Sequence, residues 1–128
     1  MERKANENQL LCGARVLIAE DEVLIALDIE AAFRDAGAEV LSPCMTLSAA
    51  LDAARNEAVS LAVLDVRLGR ETTEDVSDVL AERGIPFLFY SGQRLPAEMQ
   101  EKCRDAVMVD KPASQQDLVD AAAKLLAA

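Results

Sequence analysis

Four short apolar runs each end in residues able to do metal or phosphoryl chemistry: Glu20-Asp21 after Ala14–Ala19, Asp65 after Leu61–Leu64, Ser91 after Phe87–Tyr90 and Lys111 after Val107–Val109. If those runs are parallel strands, the side chains meet outside the carboxyl edge of one sheet, where open α/β sheets place their functional crevice. Three carboxylates, a hydroxyl and an ammonium gathered there suggest a magnesium-dependent phosphoryl site. Alone, Glu20 and Asp21 would read as ordinary acids at a helix start, where negative charge suits the macrodipole. Asp65 changes that balance, because it directly follows four apolar residues and so sits at the mouth of a central strand.

Bringing Asp65 near Glu20 and Asp21 sets like charges within about 5 Å, at a cost of roughly 3 kcal/mol per pair for an effective dielectric near 20. A divalent cation removes that repulsion. Oxygen-only ligands completed by water suit Mg²⁺, for which Mn²⁺ can substitute, and disfavour zinc. The chain has no histidine, which removes Ser-His and Cys-His nucleophiles and His-ligated zinc and leaves carboxylates as nucleophiles. With the metal bound, an Asp65 oxygen can attack phosphorus to give an aspartyl phosphate. Lys111 supplies a compact positive contact, Ser91 a small hydroxyl donor, and Gly92 close backbone approach. Pro112 restricts the backbone after Lys111 and makes that bond a cis candidate.

The elements that must position these residues follow from periodicity. Residues 1–13 read as a polar leader, and 14–128 as one domain in which strand-like runs alternate with helical patterns, the signature of a parallel sheet with helices on both faces. After Arg15–Ala19, a helix carries Leu24, Leu27 and Ala31 on one stripe with Ile25, Ile29 and Ala32 beside it, and Gly37 stops it. Glu39–Leu41 is a weak second strand, and Thr46 caps a helix bearing Leu47, Ala50, Leu51 and Ala54. Leu61–Leu64 is apolar throughout and therefore central. Thr72 and Asp75 match a capping box for the next helix, which Gly84 and Pro86 end before the fourth strand. A short helix near Pro96 turns Met99 and Cys103 inward, Ala106–Val109 is the fifth strand, and Ser114 with Asp117 caps a last helix burying Leu118, Ala121, Ala122, Leu125 and Leu126.

Composition narrows the function. At 128 residues the chain has room for one domain. A net charge of −10 argues against a nucleic-acid or acidic-membrane binder. The start is polar without a signal-peptide core, no run reaches membrane-span length, and a cytoplasmic protein is expected. Cys12, Cys44 and Cys103 lack metal-site spacing and read as buried or partly buried reduced thiols.

Four segments in order, Val16-Leu17-Ile18-Ala19-Glu20-Asp21-Glu22, Leu64-Asp65-Val66-Arg67-Leu68-Gly69, Pro86-Phe87-Leu88-Phe89-Tyr90-Ser91-Gly92 and Asp110-Lys111-Pro112, resemble the receiver domain of two-component response regulators. The resemblance covers roughly residues 14–127. It implies a flavodoxin-like (βα)5 fold with a five-stranded parallel sheet of order 2-1-3-4-5. It also implies Asp65 as phosphoacceptor, Asp21 as direct metal ligand, Glu20 as an acid acting through metal-bound water, and the Arg67 backbone carbonyl as the remaining protein ligand. Ser91 and Lys111 would read the phosphoryl group and bias the face of the fourth helix, fifth strand and fifth helix. Phe89-Tyr90-Ser91-Gly92 is similar to the Phe-X-Thr-Gly-Tyr subfamily of alphaproteobacterial single-domain receivers, with Ser91 for Thr and Gln93 for the last Tyr. Met108 stands where many receivers carry a reporting aromatic, and Ala113 where Phe is frequent. Arg67 is a long cation within reach of a phosphoryl group or of the water that removes it, and predicts an altered dephosphorylation rate.

The reading is thus a stand-alone receiver taking a phosphoryl group from a histidine kinase or phosphotransfer protein and signalling through a protein target, with homodimerisation left open. It is a self-catalysing phosphoacceptor, not a metabolic enzyme. One rival keeps the fold as a phosphorylation-independent interaction module. The other is a magnesium phosphohydrolase, which would pair its nucleophile with a second acid two residues on, where this chain has Arg67.

Overall fold

A computed structural model describes residues 9–128. The main sheet comprises β1 (Arg15–Ala19), β2 (Glu39–Val40), β3 (Leu61–Leu64), β6 (Phe87–Ser91) and β7 (Val107–Asp110). Helices α1 (Val23–Asp35), α2 (Leu47–Asn56), α3 (Glu74–Glu82), α4 (Ala97–Gln100) and α5 (Gln115–Ala127) connect and follow them, and a small hairpin of β4 (Arg67–Leu68) and β5 (Glu71–Thr72) stands apart from the sheet. All sheet pairs are parallel in the order β2-β1-β3-β6-β7. Counting only these five strands, the order is the expected 2-1-3-4-5, that of a flavodoxin-like receiver fold.

The two faces of the sheet carry separate cores, because successive strand residues point to opposite sides. Val16, Ile18, Val63 and Leu88 pack with Ile29 and Phe33 of α1 and with Leu118 and Ala122 of α5. Leu17, Ala19, Ala62, Leu64 and Phe89 pack on the other face with Ala50 and Ala54 of α2, Val76 and Leu80 of α3, and Met99 of α4. Burial on both faces explains why β3 is apolar without alternation. Register then levels the strand ends: Ala19 pairs with Leu64, Leu64 with Phe89, and Ser91 with Asp110. The residues that follow therefore emerge together at one edge.

Several expectations need correction. On α1, Leu24, Leu27 and Ala31 face solvent, and the buried stripe is Ala26, Ile29, Ala32 and Phe33. The helix carries two neighbouring apolar stripes, and its setting on the sheet selects the one holding the ring. The Thr72–Asp75 capping box does not form: Thr72 lies in β5, and α3 starts after Thr73 without a side-chain cap. The hairpin was not anticipated, although its two-residue Gly69-Arg70 loop carried the signal: Gly69 sits at φ +63°, a first loop residue that a II′ turn assigns to glycine. Thr46 and Ser114 do cap α2 and α5, accepting from the N–H groups of Ala49 and Asp117. Ala121, Leu125 and Leu126 are only partly buried, and Cys12 is exposed while Cys44 and Cys103 are buried.

Of the leader assigned to 1–13, residues 1–8 lie outside the described residues, and of residues 9–13 Leu11 is buried while the others are exposed. Leu11 is buried in the α1–α5 core, and its N–H donates to the Ala36 carbonyl at 2.9 Å. Gly37, at φ +96°, lies so close to Gln9 that an added Cβ would stand 2.6 Å from its side-chain oxygen. Leu11→Ala should therefore cost about 2–4 kcal/mol, the range for emptying a buried leucine site, measured by urea denaturation followed by far-UV circular dichroism. An unchanged midpoint would show that the segment is detached.

Candidate functional site

At the carboxyl edge of the sheet a cleft of about 520 Å³ is lined by residues including Asp21, Asp65, Arg67, Ser91, Gln93 and Lys111. The backbone holds its acids in place before any side chain acts: the Glu20 N–H donates to the Cys44 carbonyl and the Asp65 N–H to the Ala19 carbonyl, both at 2.9 Å. Glu20, Asp21 and Asp65 each present a carboxylate oxygen, and these oxygens lie within 4.8 Å of one another. Lys111 bridges two of the three. Its Nζ stands 2.6 Å from Glu20 Oε1 and 2.9 Å from Asp65 Oδ2.

Three further carboxylate oxygens accept backbone hydrogen bonds. Asp65 Oδ1 accepts from the Val66 N–H at 2.7 Å, Glu20 Oε2 from the Glu22 N–H at 3.1 Å, and Asp21 Oδ2 from the Gly69 N–H at 2.7 Å. Ser91 is buried, and its Oγ accepts from the Gln93 N–H at 3.2 Å. The Lys111–Pro112 peptide is cis. Arg67 lies in β4, with its side chain reaching across the hairpin to the Arg70 carbonyl at 3.4 Å.

Three contributors were not read from the sequence. Thr73 donates its hydroxyl to the Asp65 carbonyl at 2.7 Å, stabilising the loop after β3. The Tyr90 hydroxyl accepts from the Ala113 N–H at 3.1 Å, and its ring lies 5.6 Å from Lys111 Nζ, holding the segment around the lysine. The Gly69 amide reaches Asp21 only because the hairpin forms. Tyr90, the chain's single tyrosine, next to Ser91 offered a weak signal; the Gly69 contact joins distant segments, and the Thr73 contact depends on how the hairpin folds the loop back.

Electrostatics follow from burial and pairing. Burial pushes the Glu20 carboxyl above its ordinary range, and the Asp65 charge adds to the effect, while the Lys111 hydrogen bond pulls it back. Burial by itself lowers the Lys111 pKa, but hydrogen bonds to Glu20 and Asp65 outweigh it and leave the value above the ordinary 10.5. Three acids facing one lysine keep negative charge in excess, and an all-oxygen donor set of this spacing suits a hard divalent cation.

Lys111→Met should lower the unfolding free energy by about 3 kcal/mol at neutral pH, since it strands the buried Glu20 charge. The folded-state pKa of Lys111 lies above the unfolded one, so its stabilisation is whole below pH 10.5 and is lost as pH rises through the raised value. The gap between wild type and variant should accordingly narrow in the alkaline range, as read by denaturant melts across pH; a gap constant with pH would remove the ion-pair account.

No protein-family model matches the sequence. The transcriptional regulatory protein PdtaR of Mycobacterium tuberculosis is 30% identical over 110 residues, an alignment covering 84% of this chain and 54% of PdtaR. The chain thus spans about half the length of the curated relatives it matches. Among solved structures, a response regulator receiver protein from Sinorhizobium medicae is 26% identical with a TM-score of 0.77, covering 90% of this chain and 95% of that one. A CheY-like receiver domain protein from Methanospirillum hungatei superimposes with a TM-score of 0.79 at 22% identity, over 89% of this chain and 94% of that one. With its parallel sheet in receiver order, this chain has the fold of CheY-like receiver domains.

Proposed function

We propose that the chain is a phosphoacceptor switch in which Asp65 takes a phosphoryl group from the phosphohistidine of a kinase or phosphotransfer protein. The observation that carries this reading is the Lys111 ammonium held between Glu20 and Asp65 at the mouth of the central strand. In the transfer, an Asp65 oxygen bonds to phosphorus as the donor's phosphorus–nitrogen bond breaks, and the leaving imidazole keeps the electron pair and takes up a proton. Lys111, already on Asp65, is placed to follow the charge onto the phosphoryl oxygens. Phosphoryl transfer of this kind makes the protein a self-catalysing acceptor, not a turnover enzyme.

Mg²⁺ would be held by Asp21 and Asp65, with Glu20 acting through water and the Arg67 carbonyl completing the protein ligands, and would neutralise the phosphoryl oxygens. Glu20 suits the indirect role, because it is buried beneath the cleft, whose lining includes Asp21 and Asp65 but not Glu20. The Ser91 hydroxyl, buried at the end of β6, would donate to a phosphoryl oxygen and draw in the loop that follows. The difference in contacts between the two states biases the switch.

Output would pass through a protein partner on the face of α4, β7 and α5. Val107 and Met108 on edge strand β7 are 36% and 39% exposed, leaving apolar surface there for a target. The Phe89-Tyr90-Ser91-Gly92 segment supports a place among Phe-X-Thr-Gly-Tyr receivers. Such a switch belongs in the cytoplasm, and among the described residues no helix is long and apolar enough to cross a membrane.

With Mg²⁺ and acetyl phosphate, wild type should gain one phosphoryl mass by intact-protein mass spectrometry, whereas Asp65→Ala should gain none and chelation should abolish the gain. If wild type stays unmodified by both acetyl phosphate and a phosphorylated histidine kinase, the acceptor reading fails and a phosphorylation-independent module takes its place.

A further inference from the structure

Lys111 meets an aromatic ring as well as its acids. The Tyr90 ring centroid lies 5.6 Å from Lys111 Nζ, and the Tyr90 hydroxyl accepts from the Ala113 N–H at 3.1 Å. A single side chain thus meets both the ammonium and the backbone just beyond the lysine. Tyr90 is itself firmly held: it is buried, packs in the α1–α5 core, and pairs in register with Val109 of β7. Ala113, whose amide it binds, immediately precedes Ser114, the cap of α5. In the next position Gln115 Nε2 donates to Asp28 Oδ1 of α1 at 2.7 Å.

We infer that Tyr90 is a positioning residue for phosphoryl transfer to Asp65, its ring backing the Lys111 ammonium and its hydroxyl fixing the backbone that carries the lysine. The inference rests on the phosphoacceptor reading. An ammonium on a flexible stem serves a transfer step only when its range is restricted. On the upstream side that restriction comes from the sheet, where the Lys111 N–H donates to the Ser91 carbonyl at 3.1 Å. Beyond the lysine, the Tyr90 hydroxyl supplies the next fixed point. The ring attracts the cation more weakly than a carboxylate does, so it leaves Lys111 on Glu20 and Asp65, 2.6 and 2.9 Å away.

The step this serves is the one in which charge moves. As an Asp65 oxygen bonds to phosphorus and the donor's bond to phosphorus breaks, negative charge passes from the carboxylate to the phosphoryl oxygens, and the ammonium shifts with it. With the backbone fixed on both sides of Lys111, only side-chain torsions adjust, and less ordering is left for the transition state. Tyr90 therefore acts on the rate of transfer. It does not act on metal binding, because among the described residues its side-chain hydrogen bond goes to Ala113 and not to the acids.

The test times phosphorylation of wild type, Tyr90→Phe and Tyr90→Leu across acetyl phosphate concentrations at saturating Mg²⁺, by intact-protein mass spectrometry, as Asp65 displaces acetate from phosphorus. Tyr90→Phe keeps the ring and should lower the maximal rate roughly two- to fivefold, the scale of one neutral hydrogen bond. Tyr90→Leu removes the ring as well and should lower it roughly tenfold. The half-saturating acetyl phosphate concentration and the calorimetric Mg²⁺ affinity should be unchanged in Tyr90→Phe. Urea melts without metal provide a second arm: the midpoint shift of Tyr90→Phe combined with Lys111→Met should be smaller than the sum of the single shifts, because hydroxyl and lysine anchor the same segment. Equal maximal rates, additive midpoint shifts, or a Mg²⁺ affinity that falls in step with the rate would each overturn the positioning role while leaving the acceptor reading intact. If wild type acquires no phosphoryl group from acetyl phosphate or from a phosphorylated histidine kinase, the acceptor reading falls and this role with it.

Discussion

The ammonium of Lys111 between Glu20 and Asp65 is the contact on which the rest of the arrangement depends. It joins residues 91 and 46 positions apart in the chain, and so ties together the ends of β1, β3 and β7. Without it, Glu20, which is 1% exposed, would be a buried charge with only one backbone amide for compensation. Breaking such a contact is far more costly than forming it is favourable, because the surviving charge remains desolvated. The site is therefore held by a penalty against its absence.

That lysine reaches both acids only because strand register levels the sheet edge. A one-residue slip in a parallel strand would reverse every side chain between the two cores. Ile18 and Leu17 occupy opposite cores, so the slip would expose each to the wrong set of helices. The core packing that stabilises the domain and the alignment that assembles the site are the same constraint. Among the described residues no buried side-chain polar atom lacks a hydrogen-bond partner, so the acids are organised within the protein itself.

Much of this was legible from residue order. Alternating strand and helix patterns predicted the five βα units, and acids or a lysine directly after apolar runs predicted one functional edge. The α1 face was misread because Leu24 and Leu27 are as hydrophobic as Ile29, and periodicity alone does not say which of two stripes meets the sheet. The hairpin after β3 was missed because strands of two residues have no periodicity to detect, and so Arg67 was placed near Asp65 without the brace that holds it there.

What the sequence determined by itself was the inventory: which residues end which strands, that carboxylates and no histidine stand there, and that both faces of the sheet are covered. These follow from local pattern and residue type. Tertiary structure alone decided the partners, Lys111 with Glu20, Gly69 with Asp21, Thr73 with Asp65 and Tyr90 with Ala113. It also decided that Arg67 lines the cleft with no acidic partner among the described residues, because distances between segments are set by packing and register, which no local pattern encodes.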